Sequence, residues 1–499
     1  MNTWTTVLLL VLVVLLGFGL RWYDLGTESL WNDEAFSVHH AALGTVSEVV
    51  EQVSMTEGAP AGHYILLHYW MHWFSSSEVG VRSLSVVFGV LSIIILFFLV
   101  RLFFSEQVAL ISSLFLATSM LQVLFSQEAR LYSLFTFLTI LASYILALIF
   151  LRRQRKEKIK LWWGVYFIVI FLAFYISYTA LFLVLFYSLL LLLYWEQVDS
   201  VFRLVFMLIH GSLALVLFCF YYFFGHVFVE RFLALNNGLT NSLISKHLPS
   251  FLAQLGLFFY TLPLLLFLGL FLFFFSLRKR HTFLQCSVSD RLFFLMVSLG
   301  GVFYVYLCFN TLTLFGIPLT QNPITQSYFL IRHSFFLAPL LYVYVAYKIC
   351  TMRQKVFAGG VIVVILLVNI VALSAYYSQT TKAPWREAMS YIQKNSSGQT
   401  LLLLDKGGFS NEYLLRYYYS TADFTLVKLT SSEEWRKLDK MNDTEVWQAL
   451  GGRTDFWLIL YKNTSTKEFY KNLLDTRYVA DDSIDFKGIK IYHYHTRNI

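Results

Sequence analysis

Runs of Leu, Val, Ile and Phe recur through the first three quarters of the chain, near 4–20, 83–103, 108–125, 133–151, 161–179, 181–195, 204–228, 251–277, 292–314, 335–350 and 356–374. Most approach the roughly 20 residues that an α-helix needs to cross a bilayer. Only helices and closed barrels satisfy every backbone group in lipid, so the pattern predicts a polytopic α-helical membrane protein. About eleven transmembrane helices are expected. The first run lacks a basic segment before it and a small-residue cleavage site after it. It therefore reads as a span and not as a signal peptide.

From about residue 382 the pattern changes. Charged residues return, and the apolar segments shorten to strand length at Leu401–Leu404, Phe456–Leu460 and Ile489–Tyr492. Helical stretches, Asn411–Tyr418 and Lys467–Leu474, lie between them. Alternating strands and helices predict a small α/β domain outside the membrane. The expected organisation is a transmembrane domain over 1–380, with a long first loop at 21–82, followed by a soluble domain over 381–499. No internal repeat or low-complexity linker interrupts it.

Composition agrees with this division. The 499 residues are 58% hydrophobic and 14% charged, whereas a soluble chain is about a quarter charged. The formal charge of +8 is no argument for nucleic acid. The basic residues cluster in short loops, Arg152-Arg153-Gln154-Arg155-Lys156-Glu157-Lys158, Arg278-Lys279-Arg280 and Arg353 with Lys355. By the positive-inside rule all three face the cytoplasm, and the number of spans puts them on one side. The first loop, the 126–132 turn, the 230–250 and 316–334 loops and the tail then share the exterior. The expected location is the cell membrane, with the C-terminal domain outside. Cys219, Cys286, Cys308 and Cys350 are far apart, and no disulfide framework follows from them.

Candidate chemistry gathers on that exterior face. Asp33 and Glu34, in Trp31-Asn32-Asp33-Glu34, lie about a dozen residues beyond the first apolar run. Carboxylates are costly in hydrocarbon, so they mark its exit from the membrane. Ser126-Gln127-Glu128-Ala129-Arg130-Leu131-Tyr132 and Arg332-His333 are expected on the same face. A carboxylate can take a proton from an acceptor hydroxyl or amine, and an arginine can hold a phosphate by two parallel hydrogen bonds. Together they suit group transfer from a phosphate-linked lipid. The plain alternative is that acids and arginines at helix ends neutralise one another, and that Arg130 snorkels.

His63, His68 and His72 have a helical spacing, but they sit among Trp, Tyr and Leu in what reads as an interfacial helix. No third ligand has an ordered spacing, so no metal site is expected there. The chain has no P-loop, HExxH or Gly-rich dinucleotide fingerprint, and no cofactor is expected, although a divalent metal stays open. Asn395-Ser396-Ser397, Asn442-Asp443-Thr444 and Asn463-Thr464-Ser465 are sequons that arise easily by chance.

Several segments, taken in order, resemble the dolichyl-phosphate-mannose-protein mannosyltransferase-like family, glycosyltransferase family 39, and more broadly the lipid A aminoarabinose transferases of the same GT-C type. They are Leu30-Trp31-Asn32-Asp33-Glu34, Pro60 leading into His63-Tyr64-Ile65-Leu66-Leu67-His68-Tyr69-Trp70, Glu78-Val79-Gly80-Val81-Arg82-Ser83 and the 126–132 segment. Arg332-His333-Ser334-Phe335-Phe336-Leu337-Ala338-Pro339 and Trp385-Arg386-Glu387-Ala388 complete the set. Where many members have His-Pro-Pro or Lys-Pro-Pro this chain has Ala59-Pro60-Ala61, and His333 stands where Tyr is common.

The resemblance implies a membrane glycosyltransferase that moves a monosaccharide, with inversion, from a polyprenyl-phosphate donor to an exported lipid, glycan or protein. It implies Asp33 as the catalytic base with Glu34 beside it. It also implies substrate contacts from His63, Glu128, Arg130, Tyr132, Arg332 and His333. The alternative is a transporter or flippase of lipid-linked sugars. Against it stand the missing inverted repeat and the placing of charges at helix ends.

Overall fold

A computed structural model describes residues 2–216, apart from 57–58, 178, 194 and 214, and residues 335–496, apart from 397–398, 406–408, 420–423, 432–438 and 462–465. The spans expected at 251–277 and 292–314 lie outside the described residues, as do Arg332 and His333. The chain forms two compact units, and each is discontinuous in sequence. One comprises Met1–Tyr23, Thr45–Leu66 and Arg82–Tyr376; the other comprises Asp24–Gly44, Leu67–Val81 and Tyr377–Ile499. The 21–82 loop, expected to belong wholly with the spans, is thus divided between the two.

The first unit is helical. Among the described residues four helices are long and apolar enough to cross a membrane, Thr3–Trp22 (α1), Glu78–Arg101 (α5), Tyr132–Gln154 (α8) and Lys355–Ser378. Between α1 and α5 in the chain run the shorter helices Asn32–Ala41 (α2), which belongs to the second unit, Val46–Thr56 (α3), and Gly62–Trp73 (α4), which is divided between the two. The apolar run at 108–125 is broken: Glu106–Thr118 (α6) and Met120–Ser126 (α7) meet at a bend of 58°. Lys160–Ile176 and Ser200–Leu213 are shorter apolar helices.

Apolar side chains lie on the outside of these helices as well as between them. Leu8, Leu15, Val356 and Val371 are 59%, 59%, 92% and 68% exposed. Surfaces of that kind are stable against lipid, not water. The chain is a multi-pass membrane protein. Inside, Ile93, Phe97, Ala109, Leu116 and Ala346 form one core, and Phe135, Ala142, Tyr166, Ala173 and Leu183 belong to another.

The bend in the α6–α7 pair has an identifiable support. Arg21, at the end of α1, is 1% exposed. Its guanidinium donates to the carbonyls of Gly17, Ala117 and Leu116 at 3.0, 3.0 and 3.2 Å and to Ser126 Oγ at 3.1 Å. The carbonyls released by the broken helix thereby gain a charged donor, which offsets much of the cost of burying them. Gly89 makes room for this cluster, since a Cβ there would lie 2.8 Å from Arg21 Nε.

In the second unit, the tail folds as the strand-length segments predicted. Thr400–Leu404 (β1), Phe424–Lys428 (β2), Asp455–Tyr461 (β5), Tyr478–Phe486 (β6) and Ile489–Thr496 (β7) build a five-stranded sheet in the order β2-β1-β5-β7-β6, with Thr430–Ser431 (β3) and Asp439–Lys440 (β4) forming a small separate pair. The strands β2, β1 and β5 run parallel, while β7 is antiparallel to both β5 and β6. All five residues of β1 are buried, as a parallel strand covered on both faces should be. Edge strand β6 is mostly exposed or half-buried, and its alternation gave no clear apolar signal. On one face Leu401, Leu403, Phe456, Leu458, Leu460 and Tyr470 form the core.

Candidate functional site

Asp33 and Glu34 occupy the first turn of α2, where the exposed backbone N–H groups favour negative charge. The two carboxylates have different surroundings. Glu34 is fully buried, and its Oε2 accepts from Lys382 Nζ at 3.0 Å and from the backbone N–H of Trp31 at 3.3 Å. Its charge is therefore committed within the fold. Asp33 is half-buried at the start of the same helix. Consecutive helical residues point about 100° apart, and so Glu34 turns inward to Lys382 while Asp33 is only half-buried.

The turn leading into α2 is held by residues from the tail, all within the second unit. Arg386 donates to the Gly26 carbonyl at 3.0 Å and to Glu78 Oε1 at 3.1 Å, and its backbone N–H reaches Ser29 Oγ at 3.1 Å. Ser29 in turn donates to Glu387 at 3.1 Å. Tyr418 accepts from the Leu30 N–H at 2.7 Å and donates to Glu78 at 3.1 Å. Asn32 donates to Asn411 at 3.0 Å, and His39 stacks on Tyr413 with ring centres 3.7 Å apart. Two of the sequence segments behind the resemblance, 78–83 and 385–388, thus meet through Glu78 and Arg386, and Tyr418 links Leu30 of a third, 30–34, to the same Glu78. Lys382 and Tyr418 were not among the residues singled out from sequence. Nothing local marks them, because their partners lie 348 and 388 residues away.

His63, Glu128, Arg130 and Tyr132 belong to the first unit. The turn carrying the last three joins α7 to α8. It is tied down by Gln127, which donates to the carbonyls of Arg21 and Tyr23 at 3.1 and 2.6 Å, and by Ser85, which donates to the Arg130 carbonyl at 3.2 Å. Glu128 and Tyr132 are buried and Arg130 is half-buried. His63, near the start of α4, is 2% exposed. Burial, with the Arg130 guanidinium beside it, holds its imidazole down at about 3, so the ring is neutral at physiological pH. The structure therefore brings His63 to the 126–132 turn. His68, in contrast, places Nδ1 2.8 Å from the Ala41 carbonyl, and His72 is exposed.

The depressed His63 value has a pH consequence. The unfolded chain takes up a proton at this imidazole below about 6.5, and the folded chain does so only near 3. Stability contributed by the neutral ring is complete above about 6.5 and falls as the pH drops towards 3. Thermal unfolding should show His63→Gln losing less stability than wild type between about pH 7.5 and 5.5, by about 1.4 kcal/mol. Identical losses in both proteins would remove His63 from that account.

The first unit also has a half-open pocket of about 360 Å³ lined by Leu96, Phe103, Ile140, Tyr187, Phe202 and Val343 among others. Its walls are predominantly apolar, which suits a hydrocarbon occupant.

Comparison with known proteins follows the same lines. Residues 58–223 match the profile of the dolichyl-phosphate-mannose-protein mannosyltransferase family. Across the whole fold, the chain is similar to ArnT from Cupriavidus metallidurans in the apo state, with a TM-score of 0.57 at 12% identity, covering 97% of each chain. This is the GT-C glycosyltransferase fold. The ArnT structure bound to undecaprenyl phosphate matches at a TM-score of 0.50 and 13% identity over 99% of this chain and 98% of that one. The apo oligosaccharyltransferase from Archaeoglobus fulgidus also has a TM-score of 0.50, at 11% identity, over 98% of this chain and 75% of that one. No curated protein matches the chain significantly in sequence. Helical spans followed by a C-terminal α/β domain, as read from the apolar pattern, are the architecture of this GT-C chain.

Proposed function

We propose that the protein is an integral-membrane glycosyltransferase that moves a monosaccharide from a polyprenyl-phosphate donor to an exported lipid, glycan or protein. In this reading residues 1–380 form the transmembrane domain. The first-loop acids and the 381–499 domain work on the exoplasmic face of the cell membrane. The observation that carries the proposal is the division of labour at the start of α2, where Glu34 is neutralised by Lys382 and Asp33 remains half-buried beside it. Asp33 is the half-buried member of the pair, and Glu34 beside it carries the bonds to Lys382 and to the Trp31 N–H.

Asp33 takes the proton of the acceptor hydroxyl or amine as that atom attacks the anomeric carbon. The bond from that carbon to the phosphate oxygen breaks on the opposite side, so configuration inverts and the polyprenyl phosphate departs with the electron pair. Arg130 and Arg332 are assigned to the departing phosphate, whose charge grows in the transition state. His63, Glu128, Tyr132 and His333 are assigned to the remaining substrate contacts. Undecaprenyl phosphate is the ligand of the similar ArnT structure, which supports a lipid-linked donor. No nucleotide is required at that face.

The test is to incubate the purified protein, in vesicles, with a radiolabelled polyprenyl-phosphate sugar and an extract of exported lipids and glycans. Label should move from the donor to an acceptor. Label that crosses the bilayer still attached to its lipid would instead identify a transporter of lipid-linked sugars.

A further inference from the structure

The sheet of the C-terminal domain carries a second cluster of titratable groups, apart from every residue discussed above. In β7, His493 and His495 are two residues apart and so lie on one face of the strand. Their cross-strand neighbours on β5 are Trp457 and Asp455. On the other side, β6 is irregular: the register shifts between Ala480 and Asp482, which leaves Asp481 as an extra residue opposite β7. A bulge of this kind re-aims a side chain. Asp481 joins the histidines, whereas the Asp482 carboxylate accepts from the Tyr391 hydroxyl.

Two imidazoles therefore stand between two carboxylates. His493 Nε2 is 2.6 Å from Asp455 Oδ1, and its Nδ1 is 3.2 Å from Asp481 Oδ1. His495 Nδ1 is 3.5 Å from Asp455 Oδ1, and its Nε2 is 2.9 Å from Asp481 Oδ2. A neutral imidazole has only one N–H to give, yet each ring has a carboxylate oxygen against both nitrogens. His493 Nε2 is itself buried and makes no hydrogen bond, despite its nearness to Asp455. Two lone-pair atoms approaching without a proton aligned between them is the arrangement of ligands closing on a shared cation. In a tetrahedral site with bonds of about 2.0–2.1 Å, neighbouring ligand atoms are about 3.3 Å apart. The spacings from Asp455 Oδ1 to His493 Nε2 and His495 Nδ1, 2.6 and 3.5 Å, bracket that value, while Asp481 faces the opposite nitrogen of each ring. Trp457 stacks on the His493 ring at 4.0 Å and fixes its plane, as an outer partner of a metal ligand does.

We propose that Asp455, His493 through Nε2 and His495 through Nδ1 bind one divalent transition-metal ion of zinc type, with Asp481 behind them as partner of the other nitrogen of each ring. Two imidazoles and one carboxylate favour such an ion over the all-oxygen shells of calcium or magnesium. The two carboxylates balance its charge. Through Asp481, which faces the far nitrogen of each ring, the ion ties the bulged edge strand β6 to β5 across β7. The assignment is independent of the transfer chemistry proposed above, and neither its binding readout nor its exchange readout is an activity.

The experiment uses the full chain in detergent, stripped with chelator and titrated with Zn²⁺ against a chromophoric competitor. Wild type should bind one Zn²⁺ that D481N and H495Q each weaken by at least about tenfold. D485N, whose partner is Lys490, should leave binding unchanged. Asp481 and His495 have side chains 50% and 42% exposed, so these changes leave the core intact. In a second measurement, Zn²⁺ should slow amide exchange across 478–496 in wild type and not in D481N. Equal Zn²⁺ affinity in wild type and both variants would overturn the site. So would the absence of Zn²⁺ binding by wild type, or exchange in 478–496 that ignores the ion; the histidines would then be imidazolium partners of the two aspartates.

Discussion

Asp33→Asn is expected to nearly abolish sugar transfer while the protein still folds and still binds the lipid donor. Asparagine keeps the size and much of the hydrogen bonding of aspartate but accepts no proton near neutral pH. Removing a general base costs on the order of 10²–10⁴ in rate. The start of α2 should survive the change, since Glu34 keeps its bonds to Lys382 and to the Trp31 N–H. Glu34→Gln belongs in the same series and should act differently, by loosening the turn that presents Asp33. Its deficit should therefore appear in stability as well as turnover. Single-turnover transfer with saturating donor is the measurement. If Asp33→Asn retains more than about a third of wild-type turnover, far more than base removal allows, the role passes to Glu128.

Lys382→Met should destabilise the second unit strongly. Lys382 and Glu34 have side chains 11% and 0% exposed, so the pair is shielded from water and salt. Removing one partner of a buried pair costs about 3–5 kcal/mol, because the remaining charge loses its compensation while it stays desolvated. The unfolding midpoint should drop well below wild type, and transfer should fall with it, as α2 loses its anchor. Adding Glu34→Gln should restore a large part of the lost stability, since a neutral amide tolerates burial far better than a carboxylate. Differential scanning of the three variants decides it. A midpoint for Lys382→Met within a degree or so of wild type, below what a 1 kcal/mol change produces, would show that the pair carries no such load.

Much of the molecule is legible in the chain because its strongest signals are local. A membrane span announces itself by a run of apolar residues, since the bilayer leaves no other way to satisfy the backbone. Thus α1, α5, α8 and the Lys355–Ser378 helix fall where the runs predict. The buried strands β1 and β5 are short apolar blocks, and they appear within a residue of Leu401–Leu404 and Phe456–Leu460. What local pattern misses is also physical. The break between α6 and α7 sits inside an unbroken apolar run, and it stands because a buried arginine from α1 meets the carbonyls it frees. Edge strand β6 has too little burial to write an apolar alternation into its sequence.

The sequence by itself determined that this is a multi-span helical protein with an α/β tail, and it placed an acidic pair just beyond the first span. It did not show that Glu34 pairs with Lys382, whose neighbourhood in the chain carries no sign of it. Nor did it join Glu78 to Arg386, or separate His63 from His68 on a single helix. The apolar segment Ile489–Tyr492 stops short of His493 and His495, which the folded strand includes. Only the pairing of β7 with β5, together with the bulge in β6, brought two aspartates to them. Burial and backbone periodicity act between neighbours in sequence, so the chain records them. Charge compensation and ligand geometry act between neighbours in space, and the fold alone chooses those.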